Sequence, residues 1–251
     1  MAGHSKWANI RRKKAVVDAA RSKVWTKIIR EINVSAREGG GDPAGNPRLS
    51  LAIEQAKAAN MPKDTIERAI KKGVGDDKDA TSYVELLYEG YGPGGIAYMV
   101  EATSDNVNRT AGEIRHAFSK FGAGLGTTGS VSYMFERKGI IQIKAEGIDE
   151  EVLTLAAIEA GAEDIRLEDE MFEVSTLRED LFAVRKSLEE SGLVIENAEL
   201  QFVPATMVKV DEETAMANFR LMERLEENDD VANVFNNLEM DETAVAAAEK
   251  M

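Results

Sequence analysis

The run Arg11-Arg12-Lys13-Lys14, followed by Arg21, Lys23, Lys27 and Arg30, is made of the residue types that bind phosphate. Guanidinium and ammonium groups neutralise phosphate oxygens, and each neutralised phosphate releases condensed counterions. These cations cannot all point one way on a helix. Val24, Trp25, Ile28, Ile29 and Ile32 recur at i, i+1, i+4, i+5 and i+8, which marks an apolar stripe on one helical face and leaves the cations to cover much of the rest. Trp7 lies beside Lys6 at the start of the chain, where an indole is suited to stacking on an unpaired base, worth ~1–3 kcal/mol. His4 can do likewise. The competing reading is a solvated basic helix end with Trp7 packed on its own domain. Trp25, inside the stripe, reads as core.

Other stretches carry weaker chemistry. Glu89-Gly90-Tyr91-Gly92-Pro93-Gly94-Gly95 lacks the Gly-Lys-Ser/Thr ending of a phosphate loop and is not followed by a helical pattern, so it reads as a hairpin loop. In Asp105-Asn106-Val107-Asn108-Arg109-Thr110, Asn108 is placed to cap a helix. Arg109, Arg115, His116 and Lys120 on that helix form a second basic patch in an acidic region. The glycine-dense run Gly122–Gly129 reads as a helix-to-strand connection, and Glu168-Asp169-Glu170 as a charged turn. No nucleophile–base pair, zinc-protease motif or nucleophile elbow is present. With no Cys and two His, thiolate and His-rich metal centres are excluded, and no cofactor is expected.

The charge is unevenly placed. Of the net −14, residues 1–80 contribute +7 and residues 81–251 contribute −21. Such a molecule orients in a field, its basic end toward nucleic acid and its acidic body away. The acidic body could equally meet a basic protein partner or serve solubility. No stretch reaches the roughly 18 apolar residues of a membrane span, and the basic N-terminus is not followed by an apolar core like that of a secretory signal. The expectation is a cytoplasmic protein without a membrane partner or a small-molecule substrate.

The elements that must position these residues fall into three groups. Residues 1–80 read as a three-helix domain. The first helix stops at Gly39-Gly40-Gly41, Asn46-Pro47 opens the second, and Asp64-Thr65-Ile66-Glu67 has capping-box spacing for the third. After a polar linker at Gly75–Asp79, strands are expected at 83–88 and 96–102, a helix at 108–121 and a strand at 130–135. From Gly139 the order strand, helix, strand, strand, helix, strand is ferredoxin-like. A strand at Thr206–Val210, a helix at 211–227 and a last strand near 231–235 follow. The fold class is therefore α+β. A basic helical domain (1–80) precedes two ferredoxin-like α/β sandwiches, one acidic (81–138 plus 205–251) and one inserted into it (139–204).

Several runs resemble the YebC family, also called PmpR-type or probable transcriptional regulatory proteins. They are AGHSKWANI with its basic sequel, GGGDP, NPRL, NMPKDTIERAIKKG, YEGYGPGG, NRTAGEIRHAFSK and GSVSYMFERKG. The resemblance spans essentially the whole chain. It implies a three-domain fold and a non-enzymatic regulator of gene expression. Family members are described in two settings: as DNA-binding transcriptional regulators, and as translation factors that contact ribosomal RNA or the ribosome and help at proline-rich stretches. Carried over by position, the resemblance places nucleic-acid contact at His4, Ser5, Lys6, Trp7, Arg11, Arg12, Lys13, Lys14, Arg21, Lys23 and Arg48. Lys27, Arg109 and Arg115 join them on charge and placement. The chain departs from the family at Ser50 and Val107, where a basic residue is frequent, and this weakens the second patch.

Overall fold

A computed structural model describes residues 17–75, 83–168 and 170–251. The expected linker at 75–79 and the charged turn at Asp169 lie largely outside the described residues. The chain divides into two compact units, one spanning 135–205 and the other formed by the residues on either side of it.

The flanking, or host, unit begins with three helices: α1 (Val17–Gly39), α2 (Pro47–Ala58) and α3 (Lys63–Gly73). The apolar stripe of α1 behaves as its spacing requires. Ile32 is fully buried, with Trp25, Ile28 and Ile29 packed around the core formed by Leu49, Ala52, Ala56, Ile66 and Ala69. Trp25 places its indole N–H on the Ala59 carbonyl at 2.9 Å, which satisfies its polar end. Val24, at the edge of the stripe, is exposed instead. Helix α1 is terminated by Gly40 in the left-handed region, φ +85°. Asn46 caps α2 by accepting from the Leu49 N–H at 3.0 Å, with Pro47 in the first turn. The capping box expected at Asp64 does not form: α3 starts two residues earlier, after Pro62, with no side-chain cap. Gly73 closes α3 against α1, where a Cβ would stand 2.6 Å from the Asn33 carbonyl oxygen and 2.8 Å from the Ala36 Cβ.

The same unit holds four strands, β1 (Val84–Tyr91), β2 (Ala97–Ser104), β3 (Gly124–Leu125) and β8 (Val231–Asn236). They form an antiparallel sheet in the order β3-β1-β2-β8. On one face lie α4 (Val107–Lys120) and α7 (Glu212–Glu226). The core alternates along β2, with Ile96, Tyr98, Val100 and Ala102 meeting Ile114, Phe118, Phe219 and Leu225. Tyr98 meets Phe118 edge-on at 5.7 Å and donates its hydroxyl to Asn218 Oδ1 at 2.9 Å. A closing helix, α8 (Glu242–Glu249), was not foreshadowed by the strand and helix patterns.

The structure departs from the sequence expectation at three further places. The cap of α4 is Asn106, not Asn108: its side chain accepts from the Arg109 N–H at 3.1 Å, while Ser104 Oγ holds the Asn106 N–H at 2.9 Å. Of the strand expected at 130–135, only Phe135 is extended, as the first residue of the strand Phe135–Lys144. A single 3₁₀ turn (Ser132–Met134) stands before it, because the Glu89 carboxylate takes the N–H groups of Gly129, Val131 and Ser132 at 2.7–2.8 Å. Thr206–Val210 pairs only through an isolated bridge between Val208 and Leu238.

The inserted unit runs β4 (Phe135–Lys144), α5 (Glu150–Ala160), β5 (Asp164–Glu168), β6 (Met171–Leu177), α6 (Leu181–Glu190), β7 (Ile195–Pro204). Its sheet is antiparallel in the order β5-β6-β4-β7, the ferredoxin-like arrangement. Ile141, Ile143, Phe172 and Val174 of the strands are buried, as are Leu153, Ala157, Val184 and Leu188 of the helices. The fold class is α+β, a helical start followed by two four-stranded antiparallel α/β layers.

Part of the acidity in this region is structural. Asp149, Asp211 and Asp241 each accept backbone N–H bonds at the start of α5, α7 and α8. No helix among the described residues is long and apolar enough to cross a membrane.

Candidate nucleic-acid interface

His4, Ser5, Lys6, Trp7, Arg11, Arg12, Lys13 and Lys14 lie outside the described residues, and Arg21 is placed only by its backbone in α1. The cations further along α1 have an internal task. Lys23, Lys27 and Arg30, at i, i+4 and i+7, share one face and turn to the C-terminal end of α7. Lys23 Nζ donates to the Glu227 carbonyl at 3.3 Å, Lys27 Nζ to the Glu226 carbonyl at 3.0 Å, and Arg30 Nη1 to the Asp229 carbonyl. A helix C-terminus exposes unpaired carbonyls and the negative end of the macrodipole, so each cation there contributes ~0.3–1 kcal/mol.

Beneath this contact sits Asp230, only 4% exposed. Its Oδ1 pairs with Arg30 at 2.7 Å, and its Oδ2 accepts from Arg109 at 2.7 Å and from the Thr110 hydroxyl at 2.5 Å. The Ser104 hydroxyl stands 3.1 Å from the same oxygen. Burial pushes the Asp230 carboxyl pKa up, but the Thr110 and Arg109 hydrogen bonds and the nearby Arg30 and Arg109 charges outweigh it. The net shift is below the ordinary carboxylate value. Lys23, Arg30 and Arg109 thus converge, with Arg224, on a cavity of about 520 Å³ that Glu113, Glu227 and Asp230 also line. Nothing in the sequence marks Asp230 or Arg224 for this role. The one available hint is the polar turn Asn228-Asp229-Asp230 just before the last strand.

Arg48 is held by three carboxylates. Its Nε and Nη2 form a two-pronged contact with Glu31 at 2.7 and 3.0 Å, Nη1 meets Glu38 at 2.7 Å, and Nη2 meets Glu85 at 2.5 Å. That ties α1, α2 and β1 together. Arg109 is likewise engaged, by Asp105 at 2.7 Å as well as Asp230. Arg115, His116 and Lys120 are exposed on the outer side of α4. Of the nominated side chains that are described, Lys23, Lys27, Arg48 and Arg109 therefore bind within the fold, and Arg115 faces solvent.

A second feature lies at the other end of β1. Glu89, 4% exposed, pins the loop 126–134 through three backbone N–H groups. Burial raises its pKa, and the three amide bonds more than reverse this, so the carboxyl titrates below its ordinary value. Tyr91 donates to the Ser130 carbonyl at 2.9 Å, and Tyr133, within the loop, is 72% exposed. Gly94 and Gly95 both take positive φ in the neighbouring turn, +70° and +76°, which agrees with reading it as a structural hairpin.

Residues 5–76 match the TACO1/YebC protein N-terminal domain, and residues 83–238 match the TACO1/YebC second and third domain. A probable transcriptional regulatory protein of Persephonella marina is 54% identical over 96% of each chain. The transcriptional regulatory protein PmpR of Pseudomonas aeruginosa is 51% identical over 98% of this chain and 99% of its own. The crystal structure of a conserved hypothetical protein from Aquifex aeolicus superimposes with a TM-score of 0.83 at 50% identity, covering 89% of this chain and 92% of that one.

Proposed function

Because the chain belongs to the TACO1/YebC family, we propose that it is a non-enzymatic regulator of gene expression that binds DNA through its basic N-terminal domain. The observation that carries this reading is the charge division, +7 over residues 1–80 against −21 over the rest. Relatives named as transcriptional regulatory proteins support it. Since Lys23, Lys27, Arg48 and Arg109 are engaged by carbonyls and carboxylates, phosphate contact falls to Lys6, Arg11, Arg12, Lys13 and Lys14, with Arg21 and Arg115. Trp7 and His4 supply stacking surfaces. Nothing in the sequence reads as a helix-turn-helix with a recognition helix of base-reading residues, so the contact is directed chiefly at the backbone. The protein acts in the cytoplasm, where its target is.

The test is binding of a labelled duplex by the full chain across a salt series. Affinity should fall steeply with ionic strength. Replacing Arg11, Arg12, Lys13 and Lys14 together by Glu should flatten the log–log slope by about 3–4, close to 0.9 per lost phosphate contact. Arg48→Ala should leave that slope unchanged. A slope insensitive to the four replacements would overturn the assignment. Crosslinking in cells with sequencing of bound DNA and bound RNA separates the promoter setting from the ribosomal one, since the same cations serve either backbone.

A further inference from the structure

Helix α5 of the inserted unit is apolar on both sides. Leu153 and Ala157 are buried, as the core requires. Val152, Leu155 and Ile158, spaced at i, i+3 and i+6, are 64%, 63% and 62% exposed. A helix with apolar residues all round belongs inside a structure, and only half of this one is covered. Val194, 73% exposed, extends the patch across a groove of about 610 Å³ between α5 and the α6–β7 turn.

We propose that this face of α5 and its groove form a docking site for an amphipathic, cationic helix of a protein partner. The apolar residues supply the anchors, and charge selects the occupant. Exposed Glu146, Glu150, Glu151 and Glu159 rim the patch, and α5 carries no cation. The groove's one lining cation, Lys144, is paired with Glu196 at 2.6 Å. Residues 135–205 hold 18 acidic side chains against 7 basic ones. Such a rim repels nucleic acid and anionic lipid. It also disfavours a second copy of the same face, since like charges brought together across an interface are costly. A helix presenting Leu or Ile at i, i+3/i+4 and i+7 with flanking Lys or Arg fits both the apolar and the charged parts. The proposal uses none of the residues assigned to nucleic-acid contact and does not depend on them.

The probe is a labelled amphipathic Leu/Lys peptide of about 18 residues, five helical turns, with a Leu/Glu counterpart, titrated against the full chain by fluorescence anisotropy. The Leu/Lys peptide should bind and the Leu/Glu peptide should not. Leu155→Ser with Ile158→Ser should weaken binding by about tenfold or more, as expected for loss of central apolar anchors. These positions are solvent-exposed, so the fold is retained, which circular dichroism checks. Leu167→Ser, on β5 in the same acidic unit and 51% exposed, is the control and should change affinity by less than about twofold. Equal weakening by both variants, no weakening by either, or equal binding of the two peptides would overturn the proposal. Self-association in sedimentation velocity that Leu155→Ser with Ile158→Ser abolishes would also overturn it, by assigning the face to a second copy.

Discussion

Glu89 and Asp230 are each 4% exposed, stand in the same unit, and solve the problem of a buried carboxylate in opposite ways. Glu89 is surrounded by backbone amides from one loop, at Gly129, Val131 and Ser132. Asp230 is surrounded by side chains from α1, β2 and α4: Arg30, Ser104, Arg109 and Thr110. Amide dipoles carry no net charge and act at short range, so Glu89 shapes a local loop. Guanidinium groups bring full charge from distant parts of the chain, so Asp230 joins the helical domain to the sheet. A carboxylate held by charge is the more demanding arrangement. Removing it leaves the largely buried Arg30 without its counter-charge, whereas removing Glu89 leaves neutral donors unpaired.

The largest expected effect follows from that asymmetry. Asp230→Ala should lower unfolding free energy by ~3 kcal/mol or more, because Arg30 is 87% buried at its side chain and loses its counter-charge. Urea denaturation measures it, and a loss under ~1 kcal/mol would reduce Asp230 to the level of a surface pair. Glu89→Gln should have a smaller effect, ~1–3 kcal/mol, and a more local one. Amide hydrogen exchange should quicken at Gly129, Val131 and Ser132 and stay unchanged along α1. Both carboxyls titrate below their ordinary value in the folded state. Their stabilisation is therefore complete above the unfolded-state value of ~4 and is lost as pH falls below it, through the lower folded-state value. Glu89→Gln should remove part of that acid lability, which a denaturation series between neutral and acidic pH would reveal. The smallest effect belongs to Lys27→Ala, ~0.3–1 kcal/mol, the worth of one cation at a helix C-terminus. A larger loss would show the α1–α7 contact to rest on more than the dipole.

The sequence carried the local signals well and the distant ones poorly. The stripe ending at Ile32 placed the inner face of α1, and Asn46-Pro47 placed the start of α2, because both depend on neighbours within one or two turns. The order of elements in 139–204 was legible for the same reason, since strand alternation and helix periodicity change sharply at each boundary. The run Ser130–Phe135 alternates like a strand, yet the Val131 and Ser132 amides are claimed by Glu89, more than 40 residues earlier in the chain. Two asparagines compete to cap α4, and the hydroxyl of Ser104 decides between them by fixing Asn106. Lys23, Lys27 and Arg30 announce themselves as cations, but their acceptors, the carbonyls ending α7, lie about 200 residues away and have no side-chain signature. Residue type shows what a cation can bind. It does not show which of several anions, backbone carbonyls included, the fold brings to it.

The pairing of Phe135 with Pro204 across β4 and β7 has a thermodynamic consequence. Partners in an antiparallel ladder stand about 5 Å apart at Cα, so the inserted unit, while folded, enters and leaves the host through one narrow doorway and acts on it as a very short loop. If that unit melts by itself, the host must instead close a disordered tether of about 70 residues and bear its entropy. Unravelling of the insert is thereby transmitted to the host as an entropic load, even where no side chain passes the message.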